Sequence, residues 1–250
     1  MEYLYGRRPV YEALVAQQRD LRRLIVAEGA EQSGTLEEVV AVAEARGVHV
    51  ETQPRRWLDA QARGANHQGV LLEASDYPYA GLEDVLDRAA RRGEPPFVLL
   101  LDLIQDVHNA GTLLRTAEAV GVHGVVIQER RAAGVTPAVV SASSGAVEHL
   151  AVAQVTNLVR AMQALKEHDV WLAGLDLGEE AIRYDLAALS GGLGLVVGSE
   201  GEGLRRLVRE TCDYLIYLPM RGHIASLNAA MAGSIALYAA WQARGFKGEV

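Results

Sequence analysis

The 250-residue sequence predicts an α/β protein in two domains. Three observations carry that expectation. Short apolar runs of strand length alternate with longer segments of helical period, the pattern that lays helices on a sheet. The periodicity stops at Ser75-Asp-Tyr-Pro-Tyr-Ala-Gly81, which reads as a linker. Beyond it, Phe97–Leu103 is apolar without interruption, as a central parallel strand covered on both faces would be. We place a first domain at 1–75, a linker at 76–82 and a second domain at 83–250.

The first domain reads as a small α/β unit. Pro9 lies in the opening turn of a helix that runs to Gln17, where its missing N–H does no harm. Leu24–Ala27 is a short apolar strand. Thr35-Leu-Glu-Glu38 has the form of a capping box before a helix with Leu36, Val39, Val40 and Ala43 on one face. Val48–Val50 is a strand, Pro54 opens a short helix, and Gly69–Leu72 is the last strand.

The second domain continues the alternation. Helices are expected over Leu82–Arg91, Asn109–Val120, Val135–Ser141, Gly203–Glu210 and Ser226–Trp241, with another capped by Thr156 and ending at Glu167. Strands are expected over Phe97–Leu103, Gly124–Gln128, Leu150–Ala153, Val170–Gly174, Leu193–Val197 and Tyr214–Leu218. The order suits a doubly wound sheet. Ala229–Tyr238 is apolar apart from Gly233 and Ser234, so this last helix is expected to be covered on both sides.

Composition excludes several classes. Hydrophobic residues make up 50% and charged residues 22%, enough apolar surface for a core. The single cysteine, Cys212, excludes an intramolecular disulfide framework and a multi-cysteine zinc site, and fits a reducing cytoplasm. No apolar h-region follows Arg7 and Arg8, so a signal peptide is not expected. No apolar run reaches the roughly 18–20 residues that span a bilayer. There is no phosphate-binding G-x-x-x-x-G-K-[ST], no H-E-x-x-H and no CxxC, and the seven histidines are scattered, so no metal is expected.

The net charge of −8 argues against a broad basic footprint but leaves room for a local one. Of 24 basic residues only Lys166 and Lys247 are lysines. Arginine suits bidentate phosphate binding, and the same bias arises from genome composition. Residues 1–75 carry nine basic and eleven acidic side chains, so that domain has no net basic character.

Three segments end strands in polar or glycine-rich residues, where ligands bind in open α/β sheets. They are Leu101–Ala117, Leu195–Leu204 and Ile216–Asn228. The second runs from an apolar strand into Gly198-Ser-Glu-Gly-Glu-Gly203, an order that does not match the dinucleotide fingerprint. Its glycines would let the backbone approach a ligand closely. The chain has four asparagines, and two, Asn109 and Asn228, stand at expected helix starts just after strand ends. Local capping is one reading of each.

Taken in order, these segments resemble the motifs of the SpoU (TrmH-like) ribose 2′-O-methyltransferases. Asn109-Ala-Gly-Thr-Leu-Leu-Arg115-Thr-Ala117 resembles the first motif, Gly198-Ser-Glu200-Gly-Glu-Gly203 the second, and Pro219-Met-Arg-Gly-His-Ile-Ala-Ser226-Leu-Asn228 the third. Ser143-Ser-Gly-Ala-Val-Glu148 is also similar. The likeness covers roughly residues 95–243. Tyr5-Gly-Arg-Arg-Pro-Val-Tyr-Glu-Ala-Leu14 and Asn66-His-Gln-Gly-Val70 resemble the substrate-binding domain of the branch that methylates a guanosine ribose in large-subunit rRNA.

The resemblance implies a SPOUT-type α/β catalytic domain with a C-terminal trefoil knot, S-adenosylmethionine as cofactor and a homodimer joined through the catalytic domain. It implies catalytic roles for Arg115, Asn109, Glu200, Ser226 and Asn228, and cofactor contacts at Gly198, Ser199, Leu218, Met220 and Leu227. Arg7, Arg8, Asn66, His67, Gln68 and Ser144 are the candidate RNA contacts, the polar ones suited to reading unpaired bases. A guanidinium is effectively never deprotonated in proteins. Arg115 is therefore expected to bind a phosphate and stabilise a developing alkoxide rather than act as a base. Three other readings stay open at this point: the same chemistry on tRNA, a non-catalytic RNA-binding assembly factor, and, least favoured, a nucleotide-dependent oxidoreductase.

Overall fold

The computed structural model describes residues 1–31, 34–224 and 226–248. The chain forms two compact units, one made of Met1–Pro78 with Val135–His149, the other of Tyr79–Gly134 with Leu150–Val250.

The first unit holds β1 (Glu2–Tyr5), α1 (Arg7–Ala16), β2 (Leu21–Ala27), α2 (Thr35–Ala45), β3 (His49–Gln53), α3 (Arg55–Gln61) and β4 (Val70–Ala74). The sheet order is β1-β4-β2-β3, with β4 antiparallel to β1 and β2, and β2 parallel to β3. Ile25, Ala27 and Leu71 pack under Leu58 of α3 on one face. By strand alternation Leu24 and Val26 face the other way. The capping box expected at Thr35 does not form. Gly34 is the N-cap, no side chain caps the helix, and Thr35 is already its first residue.

The second unit runs through α4 (Leu82–Arg92), β5 (Phe97–Asp102), α5 (Val107–Ala119) and β6 (Gly124–Gln128). The chain then passes through α6 (Pro137–Ala142) and a 3₁₀ turn at Ala146–His149, both of which pack with the first unit. It returns as β7 (Val152–Val155), α7 (Leu158–Lys166), β8 (Trp171–Leu175), β9 (Ile182–Arg183), β10 (Leu193–Gly198), α8 (Arg206–Thr211), β11 (Tyr214–Tyr217) and α9 (Ala229–Ala243). All seven strands are parallel, in the order β7-β6-β5-β10-β8-β11-β9. The three strands β5, β6 and β10 are buried along their whole length, which is why their sequences carry no alternation.

Several helix starts differ from the sequence reading; α6 begins at Pro137 rather than Val135, and α8 at Arg206 rather than Gly203. Asp106, not Asn109, caps α5, with its carboxylate accepting the Asn109 backbone N–H at 2.7 Å. Asn157, not Thr156, caps α7. Helix α9 begins at Ala229 rather than Ser226, with Asn228 as its cap.

Helix α9 lies close on α5 and β10. A Cβ at Gly233 would stand 2.5 Å from Leu113 Cδ2 and 3.2 Å from Val197 Cγ2, so only glycine allows that approach. The Thr116 and Ser234 hydroxyls meet at 2.9 Å across the same contact. The opposite side of α9 is not covered. Met231, Ile235 and Tyr238 stay exposed, at the i, i+4, i+7 spacing of one helix face.

The segment Val135–His149, read in the sequence as catalytic-domain chain, has a physical reason to join the first unit. Glu148 is 1% exposed and accepts a forked pair of hydrogen bonds from the Arg19 guanidinium, at 2.8 Å from both Nε and Nη2. Arg19 also pairs with Glu2. Tyr77 donates its hydroxyl to the Val147 carbonyl at 3.3 Å.

Candidate active site

The carboxyl ends of β10, β8, β11 and β5 bring the predicted segments together. Strand β10 ends at Gly198, and the chain folds straight back: Ser199 and Gly203 form a bridge, and the Gly203 N–H donates to the Ser199 carbonyl at 3.0 Å. A Cβ at Gly198 would lie 2.6 Å from the Leu204 nitrogen. Glycine is thus required there by the chain's own return, whereas the sequence suggested ligand approach. Gly201 and Gly203 hold φ angles of +85° and +65°, which L side chains rarely adopt.

This turn walls a cavity of about 390 Å³. Leu175 and Asp176 at the end of β8, Ile216 and Tyr217 of β11, and the loop leading into α9 complete it. Gly198, Ser199, Leu218, Met220 and Leu227 all line it, as do Ser226 and Glu200. Its charged lining residues are Asp176, Glu200 and Glu202, with no Lys, Arg or His among the described lining residues. A second cavity of about 580 Å³ lies beside it, lined by Leu103–Asp106, Asn109 and Asn228. Ser199, Glu200 and Glu202 line both and form a shared wall.

Glu200 in that wall and two side chains of the second cavity, Asn109 and Asn228, form a hydrogen-bonded triangle. Asn228 Nδ2 donates to Glu200 Oε2 at 2.9 Å and to Asn109 Oδ1 at 3.0 Å. Asn109 Nδ2 donates to Glu200 Oε2 at 3.3 Å. Asn228 can do this and still cap α9, because its Oδ1 accepts from the Ala230 and Met231 N–H groups. Asn109 can do it because Asp106 takes over the capping of α5.

Arg115 follows on the same helix as Asn109. It is exposed, lines neither cavity, and lies six residues after Asn109 on α5. At 3.6 residues per turn that is roughly 240° around the helix. The face bearing Asn109 instead carries Thr116 towards α9.

The candidate RNA contacts lie in the first unit. Arg7 and Arg8 open α1. The Arg7 backbone N–H donates to Gln68 Oε1 at 3.0 Å, and its Nε to the Gln68 carbonyl at 3.2 Å. Asn66 is exposed and its Oδ1 accepts the Gln68 N–H. Arg8 pairs with Glu12 at 2.7 Å. Ser144 sits on a turn with φ +55°, followed by Gly145, where an added Cβ would meet Pro9 Cα at 3.0 Å. Close packing thus sets the Ser144 turn against α1.

His67 is different. It is 2% exposed, Nδ1 accepts the Gly69 N–H at 3.0 Å, and Nε2 lies 3.0 Å from Asp59. Both ring nitrogens are engaged inside the protein, so His67 shapes the 66–69 loop and does not present itself to a base.

The sequence reading missed Asp176, Gln105 and Asp106. Asp106 was findable, since an aspartate immediately before a segment of helical period is an N-cap signature. Asp176 carries the weaker signal of a carboxylate just past an apolar strand. Among the described residues no cluster of His, Cys, Asp or Glu is arranged to hold a metal, and no helix is long and apolar enough to cross a membrane.

Residues 96–238 match the SpoU rRNA Methylase family, and residues 3–80 match the RNA 2′-O ribose methyltransferase substrate-binding family. The chain is 42% identical to YacO of Bacillus subtilis, described as a TrmH family tRNA/rRNA methyltransferase, over 99% of this chain and 98% of that one. The SpoU methyltransferase AviRb of Streptomyces viridochromogenes, in complex with AdoMet, superposes with a TM-score of 0.78 at 25% identity, covering 98% of this chain and 90% of its own. The TrmH/SpoU tRNA modifying enzyme of A. aeolicus superposes with a TM-score of 0.55 at 26% identity, covering 67% of this chain and 86% of its own. With three motifs gathered on one set of strand ends and both family matches in place, this chain belongs to the SpoU family of RNA methyltransferases.

Proposed function

We propose that this protein transfers a methyl group from S-adenosylmethionine to a ribose 2′-hydroxyl of large-subunit rRNA, at a guanosine. The observation that carries the reading is the Asn109–Glu200–Asn228 triangle, which lines the larger cavity and reaches the smaller through Glu200. The smaller cavity takes the cofactor and the larger the acceptor ribose.

The smaller cavity fits the cofactor. Its volume lies within the roughly 300–1,000 Å³ of small-molecule sites, and three carboxylates with no basic side chain in the described lining suit a sulfonium cation. Bound S-adenosylmethionine supplies the methyl: the O–CH₃ bond forms, the S–CH₃ bond breaks with its electron pair left on sulfur, and the hydroxyl proton passes to solvent. The protein's part is geometry and charge. Gly198, Leu218 and Leu227 present backbone to the cofactor, with Ser199 and Met220 beside them. Asn109 and Asn228 fix Glu200 in the wall that both cavities share, where its negative charge acts on the cofactor. Ser226 lines the smaller cavity beside Leu227 and orients the cofactor there. Holding the acceptor oxygen in line supplies much of the rate.

Arg115 binds the phosphate next to the target ribose and stabilises charge developing on the oxygen. Because Arg115 lines neither cavity of its own chain, this role pairs with a homodimer in which one copy serves the other's site. The exposed Met231, Ile235 and Tyr238 stripe on α9 supports such an interface. The order β5-β10-β8-β11, with later strands seated among earlier ones, supports the knotted topology. Arg7, Arg8, Asn66, Gln68 and Ser144 form the RNA-facing part of the first unit. The coverage of the tRNA enzyme, 67% of this chain, supports an RNA target that needs a further binding unit.

The test is transfer of radiolabel from S-adenosylmethionine to protein-free large-subunit rRNA and, in parallel, to bulk tRNA, with Arg115→Ala as control. Label in rRNA recovered as an alkali-resistant dinucleotide is the expected result. Label in tRNA alone would overturn the rRNA assignment, and label released by alkali would overturn the ribose assignment.

A further inference from the structure

The turn that separates the two cavities is held by residues outside the three motifs. Asp102 ends β5 and is 1% exposed. In the parallel register it stands beside Gly198, where the turn begins. Its carboxylate also receives Arg205, just past the turn. The Arg205 backbone N–H donates to Oδ2 at 2.9 Å, its Nε to Oδ1 at 2.7 Å, and its Nη2 lies 2.6 Å from Oδ1. Nη2 further donates to Gln128 Oε1 at 3.2 Å, at the end of β6. One buried residue therefore stands at both ends of the segment 198–205: its backbone is in register with Gly198 in the sheet, its carboxylate holds Arg205, and Glu200 lies between them.

We propose that Asp102 and Arg205 are positioning residues for the cofactor turn: they hold Glu200 against Asn109 and Asn228 and keep the smaller cavity open in its binding shape. The proposal rests on reading that cavity as the S-adenosylmethionine site. Three features favour it over a plain structural ion pair. A guanidinium fork fixes direction as well as charge. The backbone N–H of the same residue is captured by the same carboxylate, so chain and side chain are locked together. The Arg205 side chain is also 43% exposed, so burial of that side chain does not explain the arrangement.

The variants are Arg205→Gln, Arg205→Lys, Asp102→Asn and the double Asp102→Asn/Arg205→Gln. Amide hydrogen exchange on the cofactor-free protein is read first, then S-adenosylmethionine affinity by calorimetry and RNA affinity by filter binding. Arg205→Gln is expected to speed exchange across 199–205 about tenfold and weaken cofactor binding about tenfold, the size of losing one charge-assisted hydrogen bond. Amides of β5, β6 and β10 and the RNA affinity stay unchanged. Arg205→Lys falls between, since a point charge cannot serve Asp102 and Gln128 together. The double variant is no worse than the harsher single, because both act through one network. Wild-type exchange in the turn with unchanged cofactor affinity would overturn the proposal. So would multiplicative effects in the double variant, or faster exchange throughout the sheet with RNA binding lost as well. Failure of the wild type to bind S-adenosylmethionine would instead sink the reading of the cavity, and the exchange data would still decide the role of the pair.

Discussion

Asn228 donates its side-chain amide to Asn109 at 3.0 Å, joining the starts of two helices that lie 119 positions apart in the chain. Each asparagine alone passes for a helix cap. Together they are the frame that points Glu200, and their two situations differ. Asn109 is relieved of capping by Asp106, while Asn228 caps α9 and holds Glu200 at once.

That double duty makes Asn228 separable by substitution. Asn228→Ala removes the cap and the frame, and is expected to cost about 1 kcal/mol of stability through the cap alone, with activity lost. Asn228→Ser keeps an acceptor for the Ala230 and Met231 N–H groups but removes the amide that donates to Glu200 and Asn109. It is expected to hold wild-type Tm and still lose most activity. Thermal unfolding read beside methyl transfer checks the pair, and equal Tm losses in both variants would contradict the split.

Glu200 should matter through its charge. Glu200→Gln keeps a carbonyl acceptor for the two asparagine amides and removes the charge from the wall that both cavities share. Binding of cationic S-adenosylmethionine is expected to weaken about tenfold, the scale of one lost charge interaction. Binding of the neutral demethylated product should change little. Calorimetry with both ligands checks this, and equal weakening of the two would assign Glu200 a purely geometric role.

Much of the second unit was legible because β5, β6 and β10 are buried on both faces and so read as unbroken apolar runs. Strand β1 was not legible, since only Leu4 of its four residues is buried and Glu2-Tyr-Leu-Tyr5 carries no period. The candidate site was legible as residue types at motif spacing, and the cavity lining contains every expected cofactor residue. What spacing could not show was direction. It put His67 among the RNA contacts although both ring nitrogens face inward, and it put Arg115 with Asn109 although the two sit on different faces of α5. Nor could local pattern show that Val135–His149 packs with the first unit, because that depends on a buried pairing 129 positions long.

Acid should loosen the amino end of the large sheet before neutral pH affects it. His123 is 1% exposed, accepts the Phe97 N–H at Nδ1 and meets Glu94 through Nε2. Burial pushes its pKa below the usual 6.5, with Arg92 adding to the shift and Glu94 opposing it. A histidine with a depressed folded-state pKa binds its proton more readily when unfolded. Its stabilising effect is full above 6.5 and is lost as pH falls through the folded-state value. Unfolding midpoints in denaturant are therefore expected to drop below pH 6.5 in the wild type, and to drop less in His123→Gln. Parallel pH profiles for the two proteins would remove His123 as the cause.

The Arg19–Glu148 pair should be the costliest ion pair to break in the first unit. The Arg19 side chain is 0% exposed and Glu148 is 1% exposed. Removing Glu148 leaves the buried Arg19 with Glu2 as its remaining carboxylate, a loss at the lower end of the about 3–5 kcal/mol of such settings. Glu148→Ala is thus expected to lower stability by that amount. It also releases the turn that carries Ser144 from α1, so RNA affinity should fall at temperatures where the fold survives. Replacing the whole cluster, Arg19→Met with Glu148→Leu and Glu2→Gln, removes all three charges together and is expected to recover most of the stability. If RNA affinity then recovers as well, tethering of Val135–His149 is what the pair supplies. If stability recovers while RNA affinity stays low, the ion pair itself orients the Ser144 turn, and chemical denaturation beside RNA titration distinguishes the two.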